Sequence, residues 1–190
     1  MKEDKNTKNH RPKYTNEDLQ GKDLGFHYWG AMQYIVGLIK SSELKAGLIL
    51  SFYGIIFNFV YQNIGSAEKN FENFGFMHII AILWLLSTII SIFYSIRSFI
   101  PRIEKNYDPN VFFFGDVISK FGDIKEYSQK LIETNVEKEQ LYNQLGQQIY
   151  INSKITAAKF KNVNASLKYL AVSIGLLLVL VIKYILTIIF

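Results

Sequence analysis

Between positions 102 and 127 the cations Arg102, Lys105, Lys120 and Lys125 are interspersed with Tyr107, Phe112, Phe113, Phe114 and Tyr127. Flat aromatic faces beside positive charges can stack a nucleobase and neutralise a phosphate. The same residue types suit a hydrophobic plug at the inner face of a bilayer, with the lysines touching anionic lipids. Residue chemistry leaves both readings open, so the elements that hold this stretch, "PNVFFFGDVISKFGDIKEY", have to be placed first.

Catalytic signatures are poor. The chain has no cysteine, which removes disulfides, thiolate nucleophiles and thiolate metal ligands. His10, His27 and His78 lie in separate segments and share no metal-ligand spacing. There is neither a phosphate-cradling glycine loop nor a nucleophile elbow. Asp116 and Asp123 are near neighbours, but acids beside a helix start read as caps before they read as a catalytic pair. No enzymatic activity, metal or cofactor is expected.

Of the 190 residues 49% are hydrophobic and 19% charged, with the apolar residues gathered into blocks, which points to a membrane protein and not an evenly patterned globule. Three blocks approach the roughly 20 residues a spanning helix needs. They are "AGLILSFYGIIFNFVYQ" within 46–63, "MHIIAILWLLSTIISIFYSI" within 77–97, and "YLAVSIGLLLVLVIKYILTIIF" at 169–190. Residues 1–20 are polar, with no signal-peptide core, and read as a flexible tail; 21–45 reads as an interfacial helix. The segment 64–76 forms a short loop, and 98–168 forms a helical region. Eight Lys and Arg fall in residues 1–45 and eleven in 97–168, against Lys69 alone in the short loop. The positive-inside rule therefore predicts a cytoplasmic N-terminus and 98–168 segment, with the short loop and Phe190 outside. With the surplus charge of +5 flanking apolar runs, it reads as topology and lipid-surface charge and not as a site for a nucleic acid polymer.

Within the predicted cytoplasmic region no hairpin signal appears. Thr134-Asn135 ahead of Glu137 and Glu139 predicts a helix start. Beyond it Leu141, Leu145, Ile149 (or Gln148), Asn152, Ile155, Lys159 and Val163 recur at helical spacing, so one helix can continue into the third span. The fold class expected is all-α, with three transmembrane helices and a helical cytoplasmic region whose last helix runs into the membrane. In the first span Gly47, Ser51, Gly54 and Asn58 share a face, and in the second Ser87, Ser91 and Ser95 do. Such small polar stripes serve packing within one chain or self-association into a homo-oligomer or pore. Glu43 and Lys45 lie at the cytoplasmic boundary, where a lysine can anchor the interface.

Taken in order, "ELKAG" at 43–47, "PR" at 101–102, "VFFFGDV" at 111–117, "EY" at 126–127 and "LGQQIYINSKITAAKFKNVNASLKYL" at 145–170 resemble the transmembrane effector family of the bacterial Pycsar antiphage systems. The likeness departs at Glu43, where Asp is expected, and at Phe160, where Tyr is more usual. It implies a partner cyclase that responds to phage and makes cyclic UMP or cyclic CMP. The nucleotide would activate an effector that impairs the inner membrane and causes abortive infection. A ligand site on such a chain must be built from helices. The residues proposed for it are Arg102 for the phosphate, Phe113, Phe114 or Tyr127 for the base, and Lys159 and Lys45 as further cations. Two rival readings are an effector activated by cyclic oligonucleotides and a small oligomeric channel or scaffold without nucleotide input.

The absence of native cysteine makes the topology directly testable. Ser66→Cys should react with a membrane-impermeant maleimide on intact cells, whereas Ser119→Cys should react only after permeabilisation. Labelling in the opposite order would invert the orientation.

Overall fold

The computed structural model describes residues 22–68, 75–100 and 108–189. These form five helices: α1 (Lys22–Glu68), α2 (Gly75–Phe99), α3 (Phe114–Ser119), α4 (Ile124–Val136) and α5 (Lys138–Ile189). No strand occurs among the described residues. Three of the helices are long and apolar enough to cross a membrane, over Leu24–Asn63 of α1, Gly75–Phe99 and Lys138–Thr187 of α5. The protein is thus an all-α, multi-pass membrane protein, and its last helix is one of the spans. The N-terminal tail, Lys69, Pro101, Arg102, Lys105 and Tyr107 lie outside the described residues.

The helices are longer than hydropathy blocks suggest. α1 runs without a break through Ser41-Ser42, where the Ser42 hydroxyl returns to the Ile39 carbonyl at 2.7 Å. α5 is a single helix of 52 residues. It starts three residues after Asn135, later than the Thr134-Asn135 pattern predicts. Thr134 is buried within α4, and Asn135 donates to the Leu131 carbonyl at 2.7 Å, so both belong to the end of α4. The turn is made by extended Glu137 instead, which closes α4 through Glu133 and receives the Leu141 amide at 3.0 Å.

Two compact units divide the chain. One comprises residues up to Met32 together with Asp108–Ile149, and the other Gln33–Tyr107 with Tyr150–Phe190. α1 and α5 each contribute to both.

The second unit holds the membrane bundle. Its apolar core joins Ile49, Tyr53 and Ile56 of α1 to Trp84 of α2, with Leu170, Leu176, Leu177 and Leu180 of α5 packed against them. Alongside runs a hydroxyl ladder between α2 and α5. The Ser87 hydroxyl donates to the Tyr169 carbonyl at 2.9 Å, and Thr88 meets Ser173 at 2.9 Å. Ser91 and Ser166 each donate to the other's backbone carbonyl at 2.8 Å, while Ser95 reaches the Ser166 hydroxyl at 2.7 Å. Lipid gives apolar side chains little reason to prefer one another over acyl chains. Small residues that let backbones approach, and hydroxyls that bond across helices, therefore decide which faces meet. The serine stripe of α2 is thus an intrachain seam. Exposed Leu48, Ile55, Ile79, Leu83, Phe93 and Val172 give the outer faces the apolar character lipid requires.

Ser166 sits at the most connected point of the ladder. Ser166→Ala should cost about 1 kcal/mol, the range for interhelical hydrogen bonds in membranes. Ser166→Leu should cost more, about 1–3 kcal/mol, by forcing α2 and α5 apart. Unfolding of the purified protein in mixed micelles measures both, and equal stability of Ser166→Leu and the parent would contradict the seam.

Candidate functional site

In the first unit the aromatic stretch is organised by two amides. Asn110 is fully buried, and its side-chain oxygen accepts from the Phe112 amide two residues on, at 2.9 Å. Its side-chain nitrogen donates to the Gln144 carbonyl on α5 at 2.8 Å. Gln144 reciprocates by accepting from the Val111 amide at 2.9 Å and donating to the Pro109 carbonyl at 3.3 Å. The segment has no sheet or helix partner here, so these side chains take the place of backbone pairing. Asp116 closes the knot. One carboxylate oxygen accepts from the Asn110 amide at 2.9 Å and the other pairs with Lys120 at 3.0 Å.

This loop separates the three phenylalanines. Phe113 is 4% exposed and Phe114 69%. Phe112 lies between these extremes. A Cβ on Gly115 would stand 2.9 Å from the Phe113 ring, so glycine there lets α3 start directly beside a buried aromatic. Tyr127 reaches back to donate to the Val111 carbonyl at 3.3 Å, with its ring 6.0 Å from that of Phe121. Asp123 caps α4, accepting from the amides of Lys125 and Glu126 at 2.8 and 2.9 Å. Of the two acids read from the sequence as caps, Asp123 is one, while Asp116 serves the loop knot.

In the second unit the other proposed site residues gather where α2 ends. A helix terminus leaves carbonyls without intrahelical donors. α5 supplies them: Asn162 donates to the Arg97 carbonyl at 3.3 Å, and the Lys159 ammonium donates to the Ser98 carbonyl. Lys159 also pairs with Glu43 of α1 at 2.8 Å. The Lys159 side chain is 4% exposed and that of Glu43 37%, so a buried cation is tied to a carboxylate that still meets solvent. A cation at a helix C-terminus is further favoured by the helix dipole. Lys45 is exposed and lies 5.4 Å over the ring of Phe160.

The proposed residues are therefore distributed. Phe113, Phe114 and Tyr127 belong to the first unit, and Lys45 and Lys159 to the second. Arg102 falls outside the described residues. Of the α1 stripe, Gly47 is partly covered, with its Cβ position 3.6 Å from Phe99. Ser51, Gly54 and Asn58 are exposed, Ser51 donating to the Gly47 carbonyl at 3.0 Å and Asn58 accepting from Gln62 at 2.6 Å. The Asn110–Gln144 pair was not picked out by sequence reasoning. An Asn whose side chain bonds the amide two residues on makes an Asx turn, a local signal, but the Gln144 partner of Asn110 lies 34 positions away.

Three long apolar helices, tied together through a buried cation, define a helical multi-pass membrane protein. The family model described as the Pycsar effector protein domain matches residues 27–187, and the chain belongs to that family. It is accordingly a membrane effector of Pycsar antiphage defence. No curated protein and no solved structure matches the chain.

The Lys159–Glu43 pair predicts an asymmetry. Glu43→Ala strands a buried ammonium and should cost roughly 3 kcal/mol, the lower end for breaking a buried pair. Lys159→Met removes the charge that needs compensation, lets Glu43 turn to water, and should cost less, about 1–2 kcal/mol for an unpaired carbonyl. Thermal unfolding in detergent should rank Glu43→Ala as the less stable, and the reverse order would show that Lys159 is not desolvated.

Proposed function

We propose that this effector is activated by a cyclic pyrimidine mononucleotide, cyclic UMP or cyclic CMP, made by a partner cyclase during phage infection. It sits in the bacterial inner membrane with its N-terminus and the 98–168 segment in the cytoplasm and its C-terminus outside. Activation causes it to assemble or rearrange as a homo-oligomer, impairing the membrane and ending growth of the infected cell. The observation that carries this reading is the family match, which takes in all three spans and the helical region between the second and third.

Exposed Phe114 and partly exposed Tyr127 are the proposed base partners, with Phe113 packing the loop beneath them. Arg102 is the proposed phosphate partner, because a guanidinium offers paired donors to phosphate oxygens. Lys45, exposed on α1, is a further cation available to an anion. Lys159 already has two internal acceptors, so its proposed part is to exchange them when α1, α2 and α5 repack. A ligand shifts such an equilibrium only through its differential affinity for the two packings. The small polar face of Gly47, Ser51, Gly54 and Asn58 is the proposed surface for a second copy, because its outer three residues are exposed.

Purified protein in dye-loaded vesicles tests the reading. One of the two cyclic nucleotides should bind saturably and trigger leakage, and Arg102→Gln should weaken binding at least tenfold, as loss of a charge-assisted hydrogen bond implies. Phe114→Ala should reduce leakage at saturating ligand if it couples the sensor to the spans. Saturable binding of neither nucleotide would overturn the proposal. Leakage indifferent to nucleotide would instead support a channel without that input.

A further inference from the structure

The side chains on one face of α5 have no part in the hydroxyl ladder or in the Lys159–Glu43 pair, although the Tyr169 carbonyl accepts from Ser87. There a groove of ≈660 Å³ is lined by Tyr94 of α2 and by Phe160, Lys161, Asn164, Lys168 and Tyr169 of α5, over a floor lowered by two alanines. All of it lies within the second unit. The α5 residues recur three and four apart, so they form a single stripe along the helix.

Its position along the helix is informative. Tyr169 opens the apolar run of α5, and Tyr94 lies one turn before Arg97 at the end of α2. Their rings stack at 6.1 Å with an interplanar angle of 8°. Paired tyrosines at the ends of two spans mark the level where hydrocarbon meets headgroups. From there Lys168 and Lys161 rise along α5 seven residues apart, about 10 Å at the helical rise. That distance covers the headgroup layer, roughly 5–8 Å thick on each side, and the flexible side chains can converge on one anion within it. Below Lys168, exposed Val172 continues the stripe into the apolar zone one turn on.

The charge around the groove is uncompensated among the described residues. Among the described residues neither Lys161 nor Lys168 has an acidic partner. α2 carries no acid, α5 none beyond Glu139, and Glu43 is engaged by Lys159. The groove therefore joins two ammonium groups and an Asn164 amide at one end to aromatic and aliphatic surface at the other.

From this we infer that the groove binds an anionic phospholipid, with its phosphate between Lys161, Asn164 and Lys168, its glycerol ester region against Tyr94 and Tyr169, and an acyl chain along Val172. A free phosphate or nucleotide shares the phosphate chemistry, but it leaves the apolar half unused and would have to enter at the depth of the headgroups. The lipid site does not depend on the nucleotide reading. It requires only the membrane insertion the spans establish.

Native mass spectrometry of the purified protein in mild detergent, titrated with phosphatidylglycerol or phosphatidylcholine, tests it. The parent should favour phosphatidylglycerol by about tenfold or more, as two lysines at a headgroup imply. Lys161→Gln with Lys168→Gln should bring the two lipids within about twofold, whereas Lys130→Gln with Lys138→Gln, removing equal charge elsewhere, should keep the preference. Ala165→Trp, which fills the groove without altering charge, should also abolish it. A preference that survives both groove variants would overturn the site. Displacement of the lipid by millimolar inorganic phosphate or cyclic UMP would assign the groove to a soluble phosphate and overturn the lipid reading.

Discussion

The bundle depends on how the carbonyl end of α2 is satisfied. Ser98 is buried inside the bundle, so the carbonyl there must find a donor within the protein, and a helix end has several that cannot find one within the helix. Lys159 and Asn162 reach across from α5 to supply two of them. Burying an ammonium for this purpose is unfavourable unless a countercharge accompanies it. Glu43 is the only acid of α1 between Asp23 and Glu68, and it meets that need. One side chain thus joins α1, α2 and α5 at a single level.

Register follows from that joint. With Lys159 held at Ser98, the antiparallel course of α2 and α5 brings Ser95 and Ser91 to Ser166, and Thr88 to Ser173. A slip of one turn would set hydroxyls against leucines and strand the ammonium beside apolar surface. The ladder and the ion pair therefore reinforce each other. A ligand-driven rearrangement has to exchange these contacts for others of similar strength, since a half-satisfied polar network in lipid is costly. The remaining face of α5 carries Lys161 and Lys168, which have no such duty among the described residues. Within one helix, lysines less than about three turns apart thus have opposite physical roles, Lys159 desolvated and paired, Lys161 and Lys168 solvated and open to an anion.

The first unit follows the same rule by different means. Its loop at 108–113 has neither helix nor sheet to bond with, so Asn110, Gln144 and Asp116 serve as substitutes for backbone partners. The outcome is local: Phe113 is locked inside while its neighbour Phe114 is presented to the surface. Three chemically identical residues in a row acquire different uses because the Asx turn and the start of α3 rotate their side chains apart.

Local pattern made much of this legible. Apolar blocks of sufficient length define the spans, because membrane crossing is a matter of length and composition. Of the stripe read at helical spacing, Leu145, Asn152, Ile155, Lys159 and Val163 are buried, Gln148 and not Ile149 takes the buried place between them, and Leu141 is half-buried; the period alone indicated that a lysine lay on that face. The Asp123 cap was also readable, since a cap acts within three residues. The start of α5 was misplaced because Thr134 and Asn135 can cap a helix or end one, and burial of Thr134 decided the matter. What no spacing could reveal were the partners across the fold: Glu43 for Lys159, Ser166 for Ser91 and Ser95, Gln144 for Asn110. The sequence by itself determined which residues had to be hidden or anchored. Tertiary structure alone decided what each met, because pairings more than 30 residues apart depend on helix register, which packing sets and local sequence does not encode.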